Sequence, residues 1–440
     1  MDNEAKFLNT YVVEVLGCKV NQYDARQIAR LLEGFGLQEA AGKPASLVVV
    51  HTCGVTATAV QKCRQTLRRL IRKNPDAAVF LTGCAATEEV MDGLEGIDAR
   101  VAAGAGWVQM IADELQTFSL PNPDFHLPEN ADELAVESFG KQTRAFLKIQ
   151  DGCDAGCAYC IVPQLRKTPR DKSVEAAVAE AEALVKRGYK EIVIAGVHVG
   201  LYGRETDMSL CDILSRIAEV PNILSRRSGA KADVRIRMSS LHPAELTDEL
   251  LAVWASLPNV MPHVHLSLQS GSDGVLERMG RGYTAAEYAA AVDRARAALD
   301  NPAITTDVIV GFPGETDEEF EETFEFCKQI GFAQMHIFNF SPRPGTRAAD
   351  MPDPVDPQIA QARHQRLADL AQEMTTAFNR TFVGQTVEVL VERYKGGICT
   401  GGSEHYVQTH FNGSAKQSGT VVPVRISTAS VDGLVGEAIR

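Results

Sequence analysis

Along residues 1–118, short apolar runs alternate with longer stretches whose apolar positions recur every three or four residues. YVVEVLGC at 11–18 leads into NQYDARQIARLLEGFG, SLVVVHTC at 46–53 into TATAVQKCRQTLRRLIRKNP, and AAVFLTGC at 77–84 into TEEVMDGLEG. ARVAAGAG followed by WVQMIADEL completes the series. Short β-branched runs of this kind predict buried strands, and the longer amphipathic stretches predict helices. Their alternation predicts an α/β fold with a doubly wound parallel sheet. Residues 119–140, which include LPNPDFHLPENADEL, are rich in Pro, Asn and acidic side chains and read as a linker.

The alternation resumes over residues 141–376, with candidate strands RAFLKIQ, EIVIAGV, VRIRMSS, HVHLSLQ, ITTDVIVGF and FAQMHIFNF. Helical stretches such as SVEAAVAEAEALVKRG and TDEEFEETFEFCKQIG separate most of them. These units predict a partial (β/α) barrel whose working face lies at the strand C-termini. SPRPGTRAADMPDPVDP at 341–357 is a Pro-rich connection, and a helix follows to about residue 379. Residues 377–440 differ: TVEVLVERY, ICTGGSEHYVQTHF and GTVVPVRISTAS are β-rich and divided by Gly-containing turns. That pattern predicts a small antiparallel β-barrel.

Composition narrows the setting. The 440 residues are 45% hydrophobic and 23% charged, ordinary for a globular protein. The N-terminus has no basic start followed by an apolar core, and no run approaches the ~20 apolar residues that span a bilayer. The expected location is the cytoplasm, with no membrane partner. A formal charge of −13 excludes a broadly basic nucleic-acid binder but leaves room for local basic patches. Ten cysteines in a reducing compartment point to metal-binding thiolates rather than disulfides.

Cys153, Cys157 and Cys160 form a C-x3-C-x2-C triplet just after a predicted strand. Three thiolates on one loop can hold three irons of a cubane cluster and leave the fourth iron open. The alternative, a structural zinc site, needs a fourth ligand, and no Cys or His follows until His198. Cys18, Cys53 and Cys84 each end a predicted parallel strand, in GCKVNQ, HTCGVT and TGCAAT. In an open α/β sheet those ends border one crevice, so three cysteines distant in sequence are expected to converge on a second cluster. Cysteine is also a common small buried hydrophobe, the reading preferred for Cys63, Cys211, Cys327 and Cys399.

The triplet resembles the signature of the radical S-adenosylmethionine superfamily, in which the open iron binds S-adenosylmethionine and reductive cleavage yields a 5′-deoxyadenosyl radical. The resemblance extends to GVHVGLYG (196–203), HLSLQSGSDGVLERMGRGYT (265–284) and DVIVGFPGET (307–316). It implies cofactor contacts at Tyr159, Gly196, Gln269, Gly311 and Gly314. With the three-cysteine N-terminal segment and the C-terminal barrel, the whole chain resembles the methylthiotransferases. That family implies two [4Fe-4S] clusters, at Cys18, Cys53 and Cys84 and at Cys153, Cys157 and Cys160, and a C-terminal TRAM domain. It also implies an electron donor such as a flavodoxin or ferredoxin, and a sulfur donor. Whether sulfur comes from the cluster or from a species on its open iron stays open.

GCKVNQ at 17–22 resembles the branch that acts on N6-threonylcarbamoyladenosine at position 37 of tRNA. The other branches modify isopentenyladenosine in tRNA or an aspartate of a ribosomal protein. A non-catalytic iron–sulfur or RNA-binding protein is a further class, against which the intact triplet weighs. The chain departs from the family pattern at His51, at Ala85-Ala86-Thr87 and at Lys167. His51 reads first as a packed polar residue and second as a donor beside the cluster ligands. For RNA contact, Arg64, Arg68 and Arg72 share one helix face, and Arg166, Lys167 and Arg170 follow the radical loop. A solvated helix face is the plain alternative for the first set.

Overall fold

A computed structural model describes residues 8–439 except 55, 56, 87, 92, 93, 95, 96, 104–106, 128–133, 141, 205, 207 and 229–232. In the N-terminal unit, β1 (Thr10–Val15), β2 (Gln38–Glu39), β3 (Leu47–Thr52), β4 (Ala78–Gly83) and β5 (Ala99–Ala103) form a parallel sheet. Their order is β2-β1-β3-β4-β5. Helices α1 (Lys19–Gly34), α2 (Ala57–Lys73), α3 (Glu88–Met91) and α4 (Trp107–Leu115) connect the strands. β3 is buried at every position because both sheet faces are covered. Leu47 and Val49 pack with Ile28, Phe80 and Trp107. Val48 and Val50 pack on the other face with Cys63, Leu67 and Leu81. Each such aliphatic side chain contributes about 1.5–3 kcal/mol by leaving water. After β1 the chain steps outward to β2 on one side, then returns to build β3, β4 and β5 on the other. The crevice of an open α/β sheet therefore falls between β1 and β3.

The expected linker at 119–140 is instead a strap, as far as it is described. Leu120 and Leu134 are buried in the N-terminal core, and the Phe125 ring meets Phe35 edge-on at 5.1 Å. Val136 and Phe139 enter the central core. Pro and Asn set the path of this segment, while its few apolar side chains fasten it.

The central unit holds β6 (Arg144–Asp151), β7 (Arg170–Asp171), β8 (Glu191–Gly196) and β9 (Arg235–Met238) in the order β7-β6-β8-β9. β10 (His263–His265), β11 (Ala303–Val310) and β12 (Gln334–Asn339) continue it through single bridges at Ile236–Val260 and Leu241–Leu266. All six predicted strands are present; the two-residue β7, antiparallel to β6, was not anticipated. Around them lie α5 (Val162–Leu165), α6 (Val174–Lys186), α7 (Leu210–Ser228), α8 (Asp248–Ser256), α9 (Asp273–Met279), α10 (Ala285–Ala298) and α11 (Asp317–Ile330). Thr284 with Glu287 and Thr316 with Glu319 form capping boxes that fix where α10 and α11 begin. α12 (Pro357–Arg380) runs through the expected domain boundary at 376/377.

The C-terminal strands β13 (Thr386–Lys395), β14 (Ile398–Ser403), β15 (Gln408–Asn412), β16 (Val421–Ser430) and β17 (Gly433–Ala438) close a barrel in the order β13-β14-β15-β17-β16. The pairing is antiparallel except for β15 with β17. An odd number of strands cannot close a ring on antiparallel pairs alone, so one parallel pair is required. This barrel docks beneath the central one. The Tyr406 ring stacks on His263 at 4.2 Å, and Arg237, paired with Glu191 at 3.0 Å, donates to the carbonyl of Ser403 at 3.2 Å.

Candidate active site

Cys153, Cys157 and Cys160 lie on the loop between β6 and α5, at the C-terminal face of the central sheet. The loop is clamped on both flanks: the N–H of Ala158 donates to the Met279 carbonyl at 2.8 Å, and the N–H of Ala348 donates to the Ala158 carbonyl at 2.8 Å. Donors surround the sulfurs. Arg281 Nη1 stands 3.3 Å from the Cys157 sulfur, the N–H of Ala155 stands 3.4 Å from that of Cys153, and His198 Nδ1 stands 3.5 Å from the same atom. Nε2 of His198 meets Glu245 Oε1 at 2.5 Å. Burial works against a charged His198, but Cys153 and Glu245 outweigh it and lift its pKa to about 10. Burial pushes the Cys160 thiol up to about 11, with Cys157 and Cys153 adding to the effect. Glu245 escaped the sequence reading, while His198 and Arg281 lie within the quoted segments 196–203 and 265–284 but were not singled out as site residues.

The three N-terminal cysteines stand on adjacent loops at the ends of β1, β3 and β4. Cys18 precedes the first turn of α1. Gly17, at φ +115°, admits a contact that any side chain would block, since a Cβ there would lie 2.6 Å from Cys53 Cβ. A Cβ on Gly54 would lie 2.5 Å from the Cys84 carbonyl oxygen. Asn21 Nδ2 donates to the carbonyls of Leu16 and Thr52, each at 2.9 Å, and so bolts the first loop to the second. The Thr52 hydroxyl donates to the Thr82 carbonyl at 2.7 Å, while the Thr52 carbonyl accepts from the N–H of Cys84 at 2.9 Å. Among the described residues, no three His, Cys, Asp or Glu side chains gather tightly enough for a single ion. A cubane instead takes one thiolate per iron; the triplet, with donors at the Cys153 and Cys157 sulfurs, and the three cysteines on adjacent loops of the N-terminal sheet each offer the three thiols that such ligation needs.

A buried charge network joins the two sites. Asp24 on α1 accepts from Lys148 Nζ at 2.7 Å and from Arg166 Nη2 at 2.5 Å. Asp151, at the end of β6, accepts from Lys148 at 3.0 Å and from Arg166 Nη1 at 2.7 and 2.8 Å. Beside them, Lys172 Nζ meets Glu180 at 2.5 Å and Tyr23 at 2.6 Å.

Arg166 is thus no phosphate contact: its side chain is 2% exposed and occupied by carboxylates. Lys167 and Arg170, from the same predicted patch, are exposed, as are Arg68 and Arg72 on α2. Arg64 is half-buried, with Nε donating to the Val90 carbonyl at 3.3 Å. His51 is a packed polar residue. Its Nδ1 meets Thr82 Oγ1 at 2.8 Å, its ring lies against Trp107, and its Nε2, 3.7 Å from Asp24, has no hydrogen-bond partner. Burial lowers its pKa. Ala85 and Ala86 are buried beside it, and Thr87 lies outside the described residues. Cys63 sits in the α2 core with its thiol pushed up to about 12 by burial.

Of the residues implied for S-adenosylmethionine, Tyr159 packs near Ala158 and Phe312, directly within the triplet loop. Gln269 adopts φ +70° and bridges to Val308 at the end of the β10 strand path. Gly196 ends β8, where a Cβ would lie 2.9 Å from Val199. Gly311 faces α12, where a Cβ would lie 2.8 Å from Ala360 Cβ, so its lack of a side chain is already required by packing. Gly314 turns the chain beyond it, its N–H donating to the Asp353 carbonyl at 2.8 Å.

The chain matches the Radical SAM superfamily over residues 147–327 and Uncharacterized protein family UPF0004 over residues 10–102. It is 34% identical to the threonylcarbamoyladenosine tRNA methylthiotransferase MtaB of Bacillus subtilis, across 98% of this chain and 96% of that protein. A tRNA-2-methylthio-N(6)-dimethylallyladenosine synthase of Chloroflexus aurantiacus is 35% identical across 97% and 91%. Among solved structures, the radical S-adenosylmethionine methyltransferase TsrM of Kitasatospora setae, with cobalamin and a [4Fe-4S] cluster bound, superposes with TM-score 0.56. That likeness covers 78% of this chain and 74% of TsrM at 14% identity, and it speaks to the fold alone. With two three-cysteine sites facing one boundary and near-complete coverage by such relatives, the chain belongs to the tRNA methylthiotransferases of the radical S-adenosylmethionine superfamily.

Proposed function

We propose that this protein converts N6-threonylcarbamoyladenosine at position 37 of tRNA to its 2-methylthio derivative, acting in the cytoplasm. The observation that carries this reading is the buried network of Asp24, Lys148, Asp151 and Arg166, which ties the loop region after Cys18 to the triplet loop across the α1–β6 boundary. Cys153, Cys157 and Cys160 hold one [4Fe-4S] cluster with an iron left for S-adenosylmethionine, and Cys18, Cys53 and Cys84 hold the second. When bound, these groups supply the radical that opens an unreactive carbon–hydrogen bond, together with the methyl group and the sulfur. The chain's own part is to orient and shield. Arg281 and His198 place donors on the radical-site sulfurs, and Tyr159 lies within the same loop to face the cofactor. Lys167 and Arg170 offer exposed charge to RNA phosphate beside this face. An electron donor such as a flavodoxin or ferredoxin and a separate sulfur donor complete the cycle.

The threonylcarbamoyladenosine branch is supported by relatives named for that substrate in Bacillus subtilis and Thermotoga maritima, each 34% identical along nearly the whole chain. The 35% identical Chloroflexus protein favours a second reading, in which the substrate is dimethylallyladenosine. In-vitro reaction of the reconstituted enzyme with tRNA carrying one or the other modification separates them. Product only on the threonylcarbamoyl tRNA is expected, and product only on the dimethylallyl tRNA overturns the branch.

A further inference from the structure

The inward face of the partial barrel is polar where β10, β11 and β12 lie side by side. Val264, Ile304, Val308 and Met335 on one face of these strands join the core beneath the helices. The alternate positions, His263, His265, Thr305, Asp307, Gln334 and His336, therefore point inward. Register sets His265 beside Thr305 and Asp307 beside His336. A filled barrel carries branched aliphatic side chains at such positions; this one carries a hydrogen-bonded wall. His265 Nε2 meets Asp307 Oδ2 at 3.3 Å, and the Thr305 hydroxyl lies 2.9 Å from both His265 Nδ1 and His263 Nε2. The chain holds His265 and Asp307 in place and leaves two groups over. Among the described residues no hydrogen bond occupies Asp307 Oδ1 or the His336 ring, and Asp307 keeps 29% of its side chain exposed beside an exposed His336. Thr305, Gln334 and His336 also line a cavity of about 770 Å³, bounded on its other sides by α12 and the C-terminal barrel. The one arginine in that lining, Arg144, is met by Glu191 and Glu392, so the cavity is no phosphate site. At its other end the wall adjoins the position implied for the cofactor, since the N–H of Gln269 donates to the Asp307 carbonyl at 2.9 Å.

We propose that this wall receives the N6 substituent of the target adenosine, with His336 and Asp307 as the residues that select a threonylcarbamoyl group. The inference deepens the proposed reaction and rests on it. A threonylcarbamoyl group carries ureido N–H donors, a hydroxyl and a carboxylate. Asp307 Oδ1 accepts from a ureido N–H, and the His336 ring donates to the hydroxyl or the carboxylate. A dimethylallyl group offers only carbon beyond N6. It would strip water from Asp307 and His336 and give neither a partner, the penalty by which a polar site rejects an apolar analogue.

The test measures binding of holoprotein, reconstituted with iron and sulfide, to one tRNA bearing either unmodified adenosine or N6-threonylcarbamoyladenosine at position 37. The wild-type chain is expected to bind the modified form about tenfold more tightly, or better. His336→Leu, a change at an exposed position, is expected to lose about tenfold on the modified tRNA and less than about twofold on the unmodified one. Asp307→Asn, which still accepts from His265, is expected to shift the preference in the same direction. A wild-type chain with no preference, a preference that survives both substitutions, or equal losses on both tRNAs overturns the inference. The underlying reading fails separately, in the wild-type protein alone. Methylthio product only on a dimethylallyl tRNA overturns the branch, whereas product on the threonylcarbamoyl tRNA with an unchanged preference in His336→Leu and Asp307→Asn overturns only the role of the wall.

Discussion

Asp24 and Arg166 meet at 2.5 Å across the boundary between the N-terminal sheet and the central barrel, with both side chains almost wholly withdrawn from water. The pair makes the two units one working body. Asp24 lies six residues after Cys18 and Arg166 six after Cys160, so each of these cysteine-bearing loops is continuous with one partner of the pair.

Removing one member of such a pair strands buried charge. Asp24→Ala is expected to cost about 3–5 kcal/mol, read as a lower midpoint in urea unfolding. The pH dependence has a definite sign. Burial alone would raise the Asp24 pKa, but Lys148 and Arg166 hold it well below the carboxylate range. The stabilisation is therefore present above the unfolded-state value of ~3.9 and is lost as pH falls through the lower folded value. Wild-type Tm should drop through that acid window, and Asp24→Asn should show a shallower acid-side slope.

Gly17→Ala places a methyl group 2.6 Å from Cys53 Cβ on backbone at φ +115°. The strain is expected to cost about 1–3 kcal/mol and to displace the Cys18 loop. Iron and sulfide analysis after reconstitution should find the second cluster depleted while the radical cluster remains.

The two cysteine sets should separate by activity. Cys157→Ala is expected to abolish reductive cleavage of S-adenosylmethionine, scored as 5′-deoxyadenosine. Cys53→Ala should retain that cleavage but form no methylthio product. Methylthio product from Cys53→Ala would contradict the assignment of the second site.

Lys167 and Arg170 are the exposed remainder of the basic segment after the radical loop. Lys167→Gln with Arg170→Gln is expected to weaken tRNA binding and to reduce the slope of log K against log salt by roughly two, about one per lost phosphate contact. An unchanged salt slope would remove these residues from the RNA path.

Much of this arrangement was legible from sequence because it rests on short-range pattern. The runs ending in Cys18, Cys53 and Cys84 predicted parallel strands with cysteines at one edge, and β1, β3 and β4 have that register. Six of the seven strands of the central unit followed from the same alternation. What escaped depends on contacts between distant segments. Arg166 looked like part of a basic patch because Lys167 and Arg170 follow it closely in sequence; its burial follows from Asp24, 142 positions away. The Pro-rich strap hid its anchoring in two aromatic side chains, Phe125 and Phe139. The parallel pair in the C-terminal barrel follows from closing five strands, which no local propensity encodes.

The most direct test is mass spectrometry of tRNA nucleosides from cells lacking this protein, re-expressing it, or re-expressing Cys53→Ala. The account predicts that 2-methylthio-N6-threonylcarbamoyladenosine disappears, returns with the wild-type chain and stays absent with the variant. An unchanged level of that nucleoside in cells lacking the protein, or its return with Cys53→Ala, would contradict it.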